Sequence, residues 1–220
     1  MPNWCSNQLV IIGSDEVLDE IEFKGEQFKF QNFVPMPQEI REVSTGMTTI
    51  NGEKFHYWKT IGFDKSCQNC AKNFLNPCAA HDQSVGLTEL EIESLNVRFG
   101  TADWMDWAID NWGTKWDIDV EKKTRTTGQL ALNFDTAWSP PEQFCLKMSN
   151  QYNAVFSLSY CEIGADFWGH DEYFQGIRFN ITEGAVSDFI KTPGEFSMEI
   201  ADLNEPLKSF LEVRDLGLGG

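Results

Sequence analysis

Apolar and polar positions recur with different periods along this chain, and the periods mark out its elements. Residues 7–13 (NQLVIIG) form a short apolar run of the kind that becomes a buried strand. Residues 15–22 are polar with apolar positions at helical spacing, and Ser14 stands before them as an N-cap. Residues 26–34 place Phe28, Phe30 and Phe33 in near alternation and predict a second strand, which Pro35 and Pro37 end. From there to about residue 100 the pattern is irregular and rich in Gly, Asn and Thr.

The second half is more regular. Residues 101–112 carry Trp104, Trp107, Ala108 and Trp112 on one helical stripe, with Gly113 as the C-terminal stop. Residues 115–123 (KWDIDVEKK) and 129–136 (QLALNFDT) alternate, with a turn at 126–128, and predict a hairpin. Ser139-Pro140-Pro141-Glu142 then predicts a helix start, with Ser as N-cap and Pro early in the first turn. That helix is expected to run to about residue 153. Residues 154–162 and 173–182 read as strands joined by a polar loop (GADFWGHD), and 205–213 as a closing helix before a loose tail.

Taken in order, these elements give β-α-β-β-α-β. The expected fold is α+β: a ferredoxin-like βαββαβ antiparallel sheet with a long insertion after the first strand. Residues 1–22 and 100–182 would make the core, 23–99 the insertion, and 183–220 an appendage and tail. In this topology three Trp-bearing segments converge on one edge of the sheet: 2–7 (PNWCSN), 111–117 (NWGTKWD) and 135–141 (DTAWSPP).

Those segments also carry a resemblance. An opening MPNWC-x-N, a central NWGTKWD and a later F-x-TAWSPP resemble the YubB family of phage and plasmid proteins, over the first dozen residues and roughly 100–180. The resemblance implies a ferredoxin-like domain and an accessory gene of a mobile element. It implies no catalytic residues, and the Cys-bearing insertion is not part of it.

Composition narrows the function. A chain of 220 residues that is 41% hydrophobic, with 17 Phe and 8 Trp, has the apolar content to bury a core. Its 17 basic and 34 acidic residues give a net charge of −17, which opposes direct binding to duplex DNA; such charge serves solubility, and its sharper reading is attraction to a basic partner. The absence of a long apolar run and of a signal-like N-terminus places the expected location in the host cytoplasm, away from the membrane. There the six Cys would be reduced.

Three groups of residues could carry chemistry. Cys67-x2-Cys70-x7-Cys78-x2-His81 has the spacing of a Cys3His site and predicts a structural zinc that would hold a segment poor in apolar residues. The Trp-rich edge gathers Trp4, Asn111, Trp112, Lys115, Trp116, Trp138 and Ser139. Its rings could stack a flat ligand while Lys115 and nearby N–H groups take an anion. Equally, the rings could simply pack together as a corner of the core. Asp166, His170, Asp171 and Glu172 form a polar group that could bind a divalent cation or merely decorate a hairpin tip. Phosphate-binding loops, GxSxG and HExxH are absent from the sequence, and His56, His81 and His170 are its only imidazoles. Cys5, Cys145 and Cys161 read as core thiols. The expected function is that of a non-enzymatic binding protein acting on a host protein or a small ligand. The alternative is an enzyme acting on nucleotides or nucleic acid through the Trp-rich edge.

Overall fold

A computed structural model describes residues 3–61, 83–192 and 195–196. In chain order the main elements are β1 (Trp4–Ile12), α1 (Asp15–Glu22), α2 (Phe30–Phe33), α3 (Gln38–Arg41), β2 (Val43–Ile50), β3 (Glu53–Ile61), β4 (Gln83–Gly86), α4 (Glu89–Phe99), α5 (Trp104–Trp112), β5 (Val120–Thr126), β6 (Gln129–Ala137), α6 (Glu142–Gln151), β7 (Val155–Glu162), β8 (Phe167–Phe174) and β9 (Ile177–Gly184). The chain divides into one unit of Met1–Pro35 with Ile109–Gly220, and a second of Met36–Ala108. Among the described residues, no helix is long and apolar enough to cross a membrane.

The first unit holds a six-stranded sheet in the order β5-β6-β1-β7-β8-β9, and every neighbouring pair is antiparallel. Its first four positions are strands two, three, one and four of a βαββαβ chain, which is the ferredoxin-like order. β8 and β9 extend that sheet. Alternation in β1 explains its central place. Cys5, Asn7, Leu9 and Ile11 are buried, and Leu9 lies opposite both Leu132 of β6 and Leu158 of β7. Each such fully buried aliphatic side chain contributes about 1.5–3 kcal/mol.

Helices cover this core. α1 has Ser14 as its N-cap, buries Leu18 and Ile21 and packs against β6. α6 packs against β7, β8 and β9 and inserts Phe144. The rings of Phe28, Phe30 and Phe33 gather around Phe144, with Phe30 and Phe144 centroids 4.2 Å apart.

Four local expectations are corrected. Residues 26–34 do not form a strand; Phe30–Phe33 is a short helix. The Asp117 carboxylate accepts the backbone N–H of Phe30 at 2.7 Å and of Gln31 at 3.2 Å, so a remote side chain caps this turn. Phe30 and Phe33 then share one helical face, a spacing that also mimics alternation.

Second, the strand expected over 115–123 begins only at Val120, because Asp117 serves the α2 cap and Ile118 is buried. Third, Ser139 is not the cap of α6. That helix starts at Glu142, and Ser139 Oγ instead donates to Gly113 O at 2.6 Å. Fourth, much of the expected loop at 164–171 is strand β8, which leaves the β7–β8 turn at 163–166, and the strand expected over 173–182 is broken by a second turn at Gln175 and Gly176, both at positive φ.

The second unit contains the antiparallel sheet β2-β3-β4 and helix α4, within a stretch the sequence pattern left irregular. α4 has a full capping box between Thr88 and Glu91, and Gly100 closes it at φ 86°. The helix expected over 205–213 lies outside the described residues.

Candidate functional site: the tryptophan-lined end of the sheet

β1 begins where β6 ends, so Trp4 stands directly opposite Ala137. The chain then turns sharply. Trp138 adopts φ +69°, a left-handed conformation that costs a non-Gly residue about 1–2 kcal/mol. Its N–H donates to Asn3 O at 3.0 Å, which locks this turn to the start of β1.

A buried polar frame lies beneath the turn. Asn7 Nδ2 donates to Cys5 O at 2.7 Å and to Thr136 Oγ1 at 2.8 Å. Thr136 Oγ1 donates to Ser139 O at 2.7 Å, and Ser139 Oγ to Gly113 O. Thr114 Oγ1 donates to Ala137 O at 3.0 Å. Asn7, Thr114 and Thr136 are fully buried, so these bonds form in a dry setting where losing one partner is costly. Gly113 is required at the centre of the frame. It has φ +86°, and a Cβ there would sit 2.9 Å from Glu142 N and Pro140 O.

Above the frame, the rings remain open to solvent. Trp4, Trp116 and Trp138 are 51%, 39% and 45% exposed. Trp4 and Trp116 have centroids 6.1 Å apart at 47°. The Lys115 ammonium stands 5.1 Å from the Trp116 ring and 4.9 Å from that of Trp138, within cation–π reach of both. The result is an exposed aromatic surface around one positive charge, on a chain of net charge −17.

Three of the four convergent Trp residues meet here. Trp112 does not, because its ring lies in the core. It is 4% exposed, packs on Phe30 and donates Nε1–H to Val34 O at 2.9 Å. Asn111 accepts from Lys147. At the N-terminus of α6, Cys145 N–H donates to Pro141 O at 3.1 Å. Glu142 N–H donates to Pro140 O, and the Glu142 side chain lies in the first turn.

The other predicted groups fare differently. Cys67, Cys70, Cys78 and His81 lie outside the described residues. Asp166, His170, Asp171 and Glu172 do not make one cation site, because β8 sends its successive side chains to opposite faces. His170 Nδ1 meets Ser159 Oγ at 2.9 Å, Asp171 meets Arg178 at 2.9 Å, and Glu172 accepts from Asn180. Asp166 accepts from the backbone and hydroxyl of Ser187, which holds its carboxyl below the usual carboxylate range. Cys5 and Cys145 are buried, and burial raises both thiols well above their ordinary value, as suits core residues rather than nucleophiles. Pattern reading missed the frame of Asn7, Thr136 and Thr114. The signal available was the polar residues at inward positions of two otherwise apolar strands.

Sheet order, helix placement and the Trp-lined end together define a ferredoxin-like α+β protein. A family model agrees on the domain. Residues 112–204 match the family model described as the ferredoxin-like domain in Api92-like protein. A crystal structure of the protein Api92 from Yersinia pseudotuberculosis aligns with 84% of this chain and 99% of its own length, at 13% identity and a TM-score of 0.44. No curated protein matches the chain.

Proposed function

We propose that this is a non-catalytic binding protein of a mobile genetic element, phage or plasmid, which holds a host protein or small ligand on the Trp4–Trp116–Trp138 edge. One observation carries the reading: the exposed indoles of Trp116 and Trp138 flank Lys115, with the exposed Trp4 ring against Trp116, above a buried hydrogen-bond frame and a left-handed Trp138. Backbone strain beneath an exposed ring is characteristic of a surface kept for contact rather than for packing. Rigid aromatic anchors beside one charge suit a partner that presents an apolar or flat group next to an anion. The mobile-element context rests on the Trp-containing strings that resemble the YubB family. A zinc ion on Cys67, Cys70, Cys78 and His81 belongs to the same proposal, and elemental analysis should find about one zinc per chain.

The test is a host-lysate pull-down run beside a thermal-shift panel of nucleotides, using wild type, Trp138→Ala and Lys115→Gln. A partner or ligand retained by wild type and lost by both variants supports the reading. Retention by both variants overturns it. Indole faces beside an ammonium also favour a second reading, an enzyme acting on nucleotides or nucleic acid at this edge. Product formation from a nucleotide that shifts the melting temperature separates it from simple binding.

A further inference from the structure

A concavity of the unit that holds the six-stranded sheet lies where the start of α6 meets β7, β8 and β9. Its volume is about 500 Å³, and its walls include Glu142, Tyr160, Phe167, Trp168 and Glu183. Glycines create it. Gly169 lies opposite Tyr160 in the β7–β8 register, and a Cβ at Gly169 would fall 2.3 Å from the Tyr160 ring. The phenol therefore lies across the bare backbone of β8. Gly184 gives Trp168 similar room, since a Cβ there would come within 3.0 Å of the indole. Tyr160 and Phe167 meet at 6.1 Å and 65°, which forms an aromatic corner.

Charge at this cavity is unbalanced. Here the Arg178 guanidinium is paired with three carboxylates: Asp171 at 2.9 Å, Glu142 at 3.4 Å and Glu183 at 3.9 Å. Asp171 is fully buried and one of its carboxylate oxygens has no hydrogen-bond partner. Burial holds the Glu142 carboxyl above its usual range, with Asp171 and Glu183 adding to the effect and Arg178 opposing it. With all groups ionised, three negative charges face one positive charge, and two of those carboxylates line an aromatic-walled space.

We propose that this cavity is a binding site for an organic cation, the guanidinium of an arginine side chain in a basic peptide. Glu142 and Glu183 would accept its N–H groups, while the Tyr160 and Phe167 faces attract the planar cation. The chain's charge of −17 steers such a peptide toward the protein. The site rests on its own residues and does not depend on the Trp-lined edge.

The experiment uses a blocked peptide of alternating Gly and Arg, and a copy with citrulline at each Arg. Citrulline keeps the shape and removes the charge. Calorimetry should show saturable binding of the Arg peptide and at least tenfold weaker binding of the citrulline copy. Amide and indole resonances of Phe167 and Trp168 should shift on titration. Glu183→Gln should weaken binding by about fivefold or more with an unchanged unfolding midpoint, because Glu183 is 69% exposed. Phe167→Leu should weaken it as well while keeping the fold. Equal binding of the two peptides overturns the proposal. So does an unchanged affinity in Glu183→Gln, or a set of shifts confined to Trp4, Trp116 and Trp138.

Discussion

Two regions of the six-stranded sheet use buried polarity in opposite ways. At the Trp-lined end, Asn7, Thr136, Ser139 and Thr114 are neutral, and each bonds at ordinary distance to a named backbone or side-chain partner. At the β8–β9 end, Asp171 and Arg178 carry charge, and each has a buried atom without a hydrogen-bond partner. A satisfied neutral network rigidifies what stands on it. An incompletely answered charge cluster leaves a field that a ligand can complete. The first region therefore presents a fixed surface, and the second sets three carboxylates against one guanidinium beside a cavity.

The largest expected effect tests which Trp belongs to which role. Trp112 fills the core beneath the exposed rings, so Trp112→Ala should cost about 3–5 kcal/mol, read as a fall in the urea midpoint at unchanged slope. A loss under about 1 kcal/mol would return Trp112 to the surface and dissolve the distinction between frame and platform.

Next is the charged end. Asp171→Asn removes the buried partner of Arg178 and should cost about 3 kcal/mol, toward the low side for a buried pair because the Arg178 side chain is 27% exposed. Glu183→Gln, on the rim of the same cluster, should cost almost nothing. Equal losses would mean that the cluster acts as one structural unit, with no spare charge for a ligand.

Much of this comparison was legible in the sequence, and its gaps have physical causes. The βαββαβ order was readable because residues 7–13 form a short apolar run, β6 alternates and α6 follows a Pro-rich start. The strand expected at Phe28–Phe33 failed because i, i+3 spacing of Phe30 and Phe33 satisfies a helix as well as a loose alternation. What settles it is Asp117, far away in the chain, bonding to the backbone at Phe30. Convergence of Trp4, Trp116 and Trp138 was foreseeable from topology alone. Burial of Trp112 was not, since it depends on where Phe30 packs. Arg178 and Gly169 gave no local signal, because the cavity arises from cross-strand register.

Smaller again is the effect of Gly113→Ala. The new Cβ would press on the backbone of Pro140 and Glu142 at a positive φ, and neither wall is a flexible side chain. A loss of about 1–3 kcal/mol is expected, together with a shift of the Trp116 and Trp138 indole resonances. Unshifted resonances would show that the rings do not depend on the frame.

Acidification reaches the β8 end through His170. Burial lowers the pKa of this imidazole, with Glu172 and Asp171 opposing the effect. A His with a lowered folded-state value supplies stability that is complete above its ordinary value and is lost as pH falls below about 6.5. The unfolding midpoint should therefore decline below that pH, and His170→Gln, which can keep a bond to Ser159, should flatten the decline. An identical pH profile in the variant would show that the decline arises elsewhere.

The smallest stability effect gives the sharpest comparison. Trp138 combines an exposed ring with a left-handed backbone, and two substitutions separate these properties. Trp138→Ala removes the ring and keeps the strain. Trp138→Gly removes both. Relief of a left-handed conformation gains about 1–2 kcal/mol, and the extra freedom of Gly in the unfolded chain costs about 0.4–1 kcal/mol. The Gly variant should therefore be more stable than the Ala variant by about 0.5–1 kcal/mol, measured as a difference in urea midpoints. Binding should respond differently. If the indole is the contact, both variants lose the partner equally despite their different stabilities. If the strained turn only shapes the neighbouring backbone, the Ala variant keeps binding and the Gly variant loses it. That second outcome would move the function of this edge from the Trp138 ring to the peptide groups of the turn.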